Sequence, residues 1–285
     1  MFTIVGLGVV MASLVIGFTM AGGKIPVLIQ INEYIVILGA ATGSVIIGSG
    51  IGGLTKLIQT VLGLLKPDPF GKAQFTALLR MLYEIVSQTR REGLVSLEAH
   101  IDKPSQSAIF KRYPAFLACH HALSFLTDGL RLIVDGIDPF MLDELMQADM
   151  QARHAESIRP AQQLQKLGDA MPGYGIVAAV LGVVITMGHV SESAEVVGHH
   201  VASALVGTFL GVLMAYGVLQ PLSSAAEARA SSEHQYLECI RSAMLAMARG
   251  DNPFLAVDFA RRAVEPELRC SFEELEKAVK SAGSA

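Results

Sequence analysis

Ala170-Met-Pro172-Gly-Tyr-Gly175-Ile-Val-Ala-Ala179-Val-Leu-Gly182-Val-Val-Ile-Thr-Met-Gly-His-Val-Ser191 runs from Asp169 to Glu192 without an Asp, Glu, Lys or Arg. A helix that crosses a hydrocarbon layer of about 30 Å needs roughly 20 such residues, so this stretch reads as a membrane span. Working outward, three more stretches pass the same test: Met1 to Gly23, Tyr34 to Thr55 between Glu33 and Lys56, and Val196 to Ala226 between Glu195 and Glu227. The first has no positively charged leading region, so it reads as a retained span and not as a signal peptide. A link from Lys24 to Glu33 joins the first two spans and an acidic link from Ser191 to Glu195 joins the last two. The spans therefore form two hairpins. A composition that is 52% hydrophobic and 17% charged fits that reading.

Positive residues near spans stay in the cytoplasm. Of the 22 Lys and Arg residues, thirteen lie in 56–169 and eight follow Glu227, with Lys24 alone outside those segments. Both long segments are thus expected on the cytoplasmic side, with both termini, while Glu192, Glu195, His199 and His200 at a hairpin tip face outward. The expected organisation is a transmembrane hairpin at 1–55, a cytoplasmic helical domain at 56–169, a second hairpin at 170–226 and cytoplasmic C-terminal helices at 227–285.

The cytoplasmic parts read as helices. Leu78, Leu79, Leu82, Ile85 and Val86 recur at helical spacing within Phe75 to Val86. Similar patterns predict helices over Ser107–Leu117, Ala122–Val134, Pro139–Arg153, Glu227–Arg249 and Pro253–Val264. Asp138 stands where an N-cap belongs, and Ser271 with Glu274 forms a capping-box pattern. No run alternates as a strand would, so the fold class is all-α.

Other classes lose support. A net charge of -4 offers no basic footprint for nucleic acid. Cys119, Cys239 and Cys270 are odd in number and far apart, and Cys119-His120-His121 lacks a second cluster to complete a metal site. No nucleophile motif or phosphate loop is present. The expectation is a protein with no catalytic residue, no metal and no cofactor.

The spans carry no interior acid or base, so any titratable group on an ion path is expected from another subunit. Gly175, Ala178, Ala179 and Gly182, then Gly207, Gly211, Ala215 and Gly217, supply a wall of small residues. Gly207-Thr208-Phe-Leu-Gly211 is a GxxxG pattern, which serves either a foreign helix or packing within the chain. Pro172 and Pro221 stand near the cytoplasmic ends of their spans, as a helix start and stop or as hinges. Arg90, at the end of an amphipathic helix, and Glu98 read on their own as a solvated charged face.

Together, two hairpins, a cytoplasmic insert and Arg90-Arg-Glu-Gly-Leu-Val-Ser-Leu-Glu98 resemble the A subunit family of bacterial flagellar motor stators (MotA), within the wider MotA/TolQ/ExbB proton channel family. The resemblance continues through Leu130-Arg-Leu-Ile-Val-Asp135, Gly168 to Gly182, Val206 to Gly211, Ala215-Tyr-Gly217 and Pro221, although Gly173 and Tyr174 stand where the family more often has alanine and phenylalanine. It implies a homo-oligomeric ring of this chain around a pair of B subunits, whose aspartate takes up the ion, in the bacterial inner membrane. It also implies that Arg90 and Glu98 meet the rotor's switch protein, that Pro172 and Pro221 couple ion passage to movement, and that Ala179 and Thr208 line the channel. Alanine at position 179 is the residue of proton-driven relatives; sodium-driven ones carry threonine there. An ExbB- or TolQ-like energiser of outer-membrane transport is the alternative, but that group usually has three spans and an outside N-terminus.

Overall fold

The computed structural model of the protein describes residues 2–191 and 193–282. Glu192, expected at a hairpin tip, lies outside them. The described residues hold helices and no strand: α1 Phe2–Met20, α2 Ile31–Leu64, α3 Lys72–Glu92, α4 Glu98–Asp102, α5 Pro114–Leu117, α6 His120–Val134, α7 Pro139–Ser157, α8 Arg159–Gly188, α9 Ala194–Val212, α10 Gln220–Ala248, α11 Pro253–Arg262 and α12 Phe272–Ala282. A π-helical segment, Leu213–Leu219, joins α9 to α10. The chain divides into two compact units, Met1–Pro67 with Ile158–Ala228 and Asp68–Ser157 with Arg229–Ala285.

In the first unit, four helices are long and apolar enough to cross a membrane, as the four charge-free runs require. The α1 helix is apolar on every side, with Ile4, Val5, Val9 and Ile16 all exposed, as suits a helix whose surroundings are not water. The helices outlast the apolar runs. Thus α8 starts at Arg159, eleven residues before the charge-free stretch begins at Ala170, because helical hydrogen bonding continues after the side chains turn polar. The second span is not smooth. Gly50, at φ 67 and ψ -179, breaks the helical path of α2 in a region that only glycine enters freely. Beside the break, Gln163 Nε2 donates to Ser49 Oγ over 2.6 Å, tying α8 to α2.

In the second unit the apolar face of α3 is buried: Phe75, Leu78, Leu79, Leu82, Ile85 and Val86 join a core shared with α6, α7, α11 and α12. Tyr236 anchors that core, its ring 5.3 Å from Phe70 and 5.4 Å from Phe75. The expected caps form. Asp138 Oδ1 accepts from the Phe140 amide at 2.9 Å, and both arms of the capping box close, Glu274 N–H to Ser271 Oγ at 3.1 Å and Ser271 N–H to Glu274 Oε2 at 2.7 Å. Ser107–Leu117 is a different matter: it folds as a 3-10 turn at Phe110–Arg112 followed by the single turn of α5. Pro114 has no N–H to give and drives Tyr113 out of the helical region, to φ -123 and ψ 67.

Candidate functional site

The wall of small residues is real, and it is used inside the chain. A Cβ on Gly175 would lie 2.7 Å from the Gly207 carbonyl oxygen and 3.3 Å from Thr208 Cα. One on Gly211 would lie 2.7 Å from the Met171 carbonyl oxygen and 2.9 Å from Gly175 Cα. Backbone meets backbone along this seam, which only glycine permits, so the GxxxG pair serves the α8–α9 contact. Ala179 and Thr208 flank the seam and stay half-buried. The Ala179 amide nitrogen sits 3.2 Å from where a Gly207 Cβ would stand.

The spans as read hold no acid, but the acid at the edge of the second one is buried. Glu33, which composition puts at the boundary of the second span, is only 7% exposed. Its Oε2 reaches to 2.4 Å from the Cβ position of Gly207, and its Oε1 to 3.6 Å from that of Gly182. The carboxyl group therefore lies in the same layer as the α8–α9 seam. Sequence reasoning missed it because a residue in the first turn of a helix looks like an exposed cap favoured by the dipole.

The two prolines also differ from their simplest readings. Pro172 lies inside α8, neither at its start nor beyond its end. With no N–H it leaves the carbonyl four residues back, that of Gly168, without its helical partner. Gly168 packs on the π-helical junction: a Cβ there would be 3.3 Å from Gln220 Cγ and 3.4 Å from Leu219 Cβ. Pro221 does not stop its helix but is the second residue of α10, directly after the π segment. A π turn widens the helix and relieves the clash that a proline ring makes with the preceding turn. The structure thus brings the two interruptions together, bridged by Gln220 Nε2 donating to Asp169 Oδ1 over 3.2 Å. Gly168, Asp169 and Gln220 were not singled out by sequence reasoning; an i−4 search from Pro172 would have found Gly168.

In the second unit, Arg90 ends α3 and Glu98 begins α4, with Gly93 between them at φ 83. Both charged side chains are exposed, and neither makes an ion pair or side-chain hydrogen bond among the described residues. Leu94 and Val95 beside them are exposed too, at 39% and 71%. What holds this segment is a network beneath it. The Phe110 amide donates to Ser107 Oγ at 3.1 Å, Ser107 Oγ lies 2.7 Å from His100 Nδ1, and His100 Nε2 lies 3.1 Å from Gln88 Oε1. A neutral His100 protonated at Nε2 satisfies every link, accepting from the serine and donating to the glutamine. Nearby, Glu84 takes 2.8 Å from the Tyr113 hydroxyl and pairs with Arg112 at 2.5 Å, pinning α3 to the turn after it.

Burial lowers the His100 pKa below its ordinary value, against a smaller upward pull from Glu92. The unfolded chain then binds that proton more readily than the folded one. Stability of this unit is expected to fall as pH drops through about 6.5, the ordinary histidine value, and to keep falling until the lower folded pKa is reached. Denaturant titrations at stepped pH check this: His100→Gln should flatten the dependence while costing about 1–2 kcal/mol at neutral pH for the disturbed hydrogen bonds.

Comparisons with known proteins add sequence-wide context. Residues 4–93 match the model of the Motility protein A N-terminal family, and residues 119–239 that of the MotA/TolQ/ExbB proton channel family. The chain is 35% identical over 282 residues to Motility protein A of Escherichia coli, covering 99% of this chain and 96% of that one. It is 36% identical over 262 residues to chemotaxis protein LafT of Vibrio parahaemolyticus, covering 92% of each. Its fold matches a chain in the structure of C. jejuni MotAB with a TM-score of 0.78 at 18% identity, covering 95% of this chain and 98% of that one. It also matches a chain of the flagellar MotAB stator complex of Bacillus subtilis with a TM-score of 0.73 at 20% identity, covering 95% and 99%.

Proposed function

Because the chain belongs to the motility protein A family, we propose that it is a stator subunit of the flagellar motor, which forms a proton channel with a B subunit and turns ion flow into torque on the rotor. It is a membrane-embedded channel component and not an enzyme. The observation that carries this reading is 35% identity to a motility protein in an alignment that covers 99% of the chain. An ExbB- or TolQ-like energiser shares the family model at residues 119–239, but the match at residues 4–93 and the end-to-end relatives belong to motility and chemotaxis proteins.

In this reading several copies ring a pair of B subunits in the inner membrane, with both termini in the cytoplasm. The domains divide as 1–55 and 170–226 for the two membrane hairpins, and 56–169 and 227–285 for the cytoplasmic parts. The partner's aspartate binds the proton, facing Ala179 and Thr208. Alanine at 179 is too small and apolar to help strip water from sodium, which favours the proton. When the aspartate changes charge, the preferred packing of α8 against α9 shifts, and the weak points at Pro172 and Pro221 let that shift leave the bilayer. Arg90 and Glu98, exposed and unpaired, then meet the rotor's switch protein. Each charge moved through about 100 mV supplies about 2.3 kcal/mol, more than thermal energy at every step.

Deleting the gene tests the proposal. Cells of a host that has no second stator set are expected to build full-length filaments and fail to turn them, and the intact gene is expected to restore swimming. Normal swimming after deletion would overturn it.

A further inference from the structure

The polar beginning of α8 carries positive charge that nothing in the chain balances. Arg159, Gln162 and Lys166 follow at i, i+3 and i+7 spacing, which puts them on one face of the helix. Arg159 and Lys166 are exposed and make no ion pair or side-chain hydrogen bond among the described residues. The one acid of α8, Asp169, is engaged elsewhere, accepting from Gln165 at 3.0 Å and from Gln220 at 3.2 Å. The basic face borders a cavity of about 360 Å³ between α8 and α2, a size within the range of small-molecule sites, about 300–1,000 Å³. Ser44 and Gly48 stand on the α2 side, and a Cβ on Gly48 would meet nothing within 4 Å.

The depth of this cavity follows from two lengths. From Ile31 to the break at Gly50, α2 rises about 30 Å at about 1.5 Å per residue, the thickness of a hydrocarbon layer. In the orientation proposed above, the break then lies at the cytoplasmic face of that layer. The α8 helix crosses the same boundary where its charge-free stretch begins, at Ala170. The cavity straddles this boundary, because its wall passes from Arg159 and Lys166 on the polar side to Ala170 and Tyr174 on the apolar side. A soluble anion would use only the first half of such a wall. A phospholipid presents a charged phosphate and then an apolar chain, in that order.

We propose that this cavity binds an anionic phospholipid of the cytoplasmic leaflet, with the phosphate between Arg159 and Lys166 and an acyl chain along Ala170 and Tyr174. The inference rests on the membrane orientation of the stator reading. Arg159 offers a planar fork that pairs with two phosphate oxygens, and Lys166 adds a compact point charge. Basic pockets between membrane helices on the cytoplasmic side suit such headgroups. Gln162 stands between the two cations and can donate its amide N–H to a phosphate or glycerol oxygen. Gln163 is already engaged, since its Nε2 donates to Ser49 Oγ. A zwitterionic headgroup brings its own cation beside the phosphate, which the two basic residues repel, so the site selects a headgroup of net negative charge.

The test uses the full chain co-expressed with its B partner, stripped of lipid in detergent and offered phosphatidylglycerol or phosphatidylcholine, with bound lipid counted by native mass spectrometry. Wild type is expected to hold phosphatidylglycerol about thirtyfold more tightly than phosphatidylcholine, the combined scale of two basic residues at an anionic surface. Arg159→Gln with Lys166→Gln is expected to lose most of that preference at unchanged abundance and partner binding, because neither charge has an internal partner to lose. Gly48→Leu keeps both charges but fills the cavity, and is expected to lose retained phosphatidylglycerol as well. Lys103→Gln with Lys111→Gln removes the same charge from exposed positions of the other unit and is expected to bind as wild type does. Equal retention of the two lipids by wild type overturns the proposal. So does an unchanged preference, or loss of the folded complex, in Arg159→Gln with Lys166→Gln, or an equal loss in the Lys103 and Lys111 control. Release of phosphatidylglycerol by inorganic phosphate at the lipid's own concentration would also overturn it, by assigning the site to a free anion. A chain that captures no B partner would instead sink the stator reading, while its own lipid count would still decide this one.

Discussion

Gly211→Leu is expected to remove the folded protein from the membrane, not to weaken it by degrees. The side chain would enter a seam in which the first added carbon already lies 2.7 Å from the Met171 carbonyl oxygen and 2.9 Å from Gly175 Cα. These are backbone atoms and cannot swing aside as a flexible side chain would. The helices α8 and α9 must part, and the cost reaches about 3 kcal/mol or more, the upper end of overpacking effects. Parting them also moves Thr208 from Gly175 and Ala179 from Gly207. Gly173→Ala is the control, since a Cβ there meets nothing within 4 Å and alanine favours helix over glycine. Quantifying membrane-inserted protein and swimming for both variants checks this: near-complete loss of both in Gly211→Leu, and near-wild-type values in Gly173→Ala.

The second large effect concerns the exposed charges. Arg90→Glu combined with Glu98→Lys is expected to paralyse cells while leaving the protein's abundance, melting temperature and partner binding unchanged. The separation of effects follows from the structure. Both side chains are exposed, and the segment's stability rests on His100, Ser107 and Gln88 below it, so reversing the charges removes no internal bond. Surface charges of this kind contribute about 0–1 kcal/mol to folding. A complementary partner feels the reversal in full, because like charges brought together cost several kcal/mol. Swimming-ring diameter against immunoblot intensity makes the measurement. Partial recovery on reversing charges in the rotor's switch protein would locate the contact, and a fall in protein level would assign the charges to folding instead.

The fold was legible wherever a single physical requirement ruled a long stretch. A charge-free run of about twenty residues has few uses besides spanning a bilayer, so all four spans could be read from it, and the buried face of α3 followed from its periodicity. The Ser271 to Glu274 capping box was legible because its two bonds join residues three apart. What stayed hidden depended on distant partners. Glu33 looks like a boundary residue until α8 and α9 supply the layer it enters. His100 looks like any loop histidine until Ser107 and Gln88 close on it from both sides. Ser107–Leu117 misled for a local reason, since apolar spacing suggested a helix that Pro114 forbids. At Pro172 and Pro221 the positions were right and the helix ends were not, because the π-helical segment absorbs what a regular helix would refuse. The wall of small residues was visible, but whether it faced a foreign helix or its own neighbour was decided only by Gly175 meeting Gly207 and Gly211.

A proton-driven stator is tested by the rotation of single tethered cells of the deletion strain during re-expression of the gene, with the proton and sodium gradients collapsed in turn. Rotation is expected to return with expression, to stop when a protonophore is added, and to persist when sodium is withdrawn. Rotation that survives the protonophore, or that never returns although the chain and its partner are both present in the membrane, would contradict a proton-driven stator.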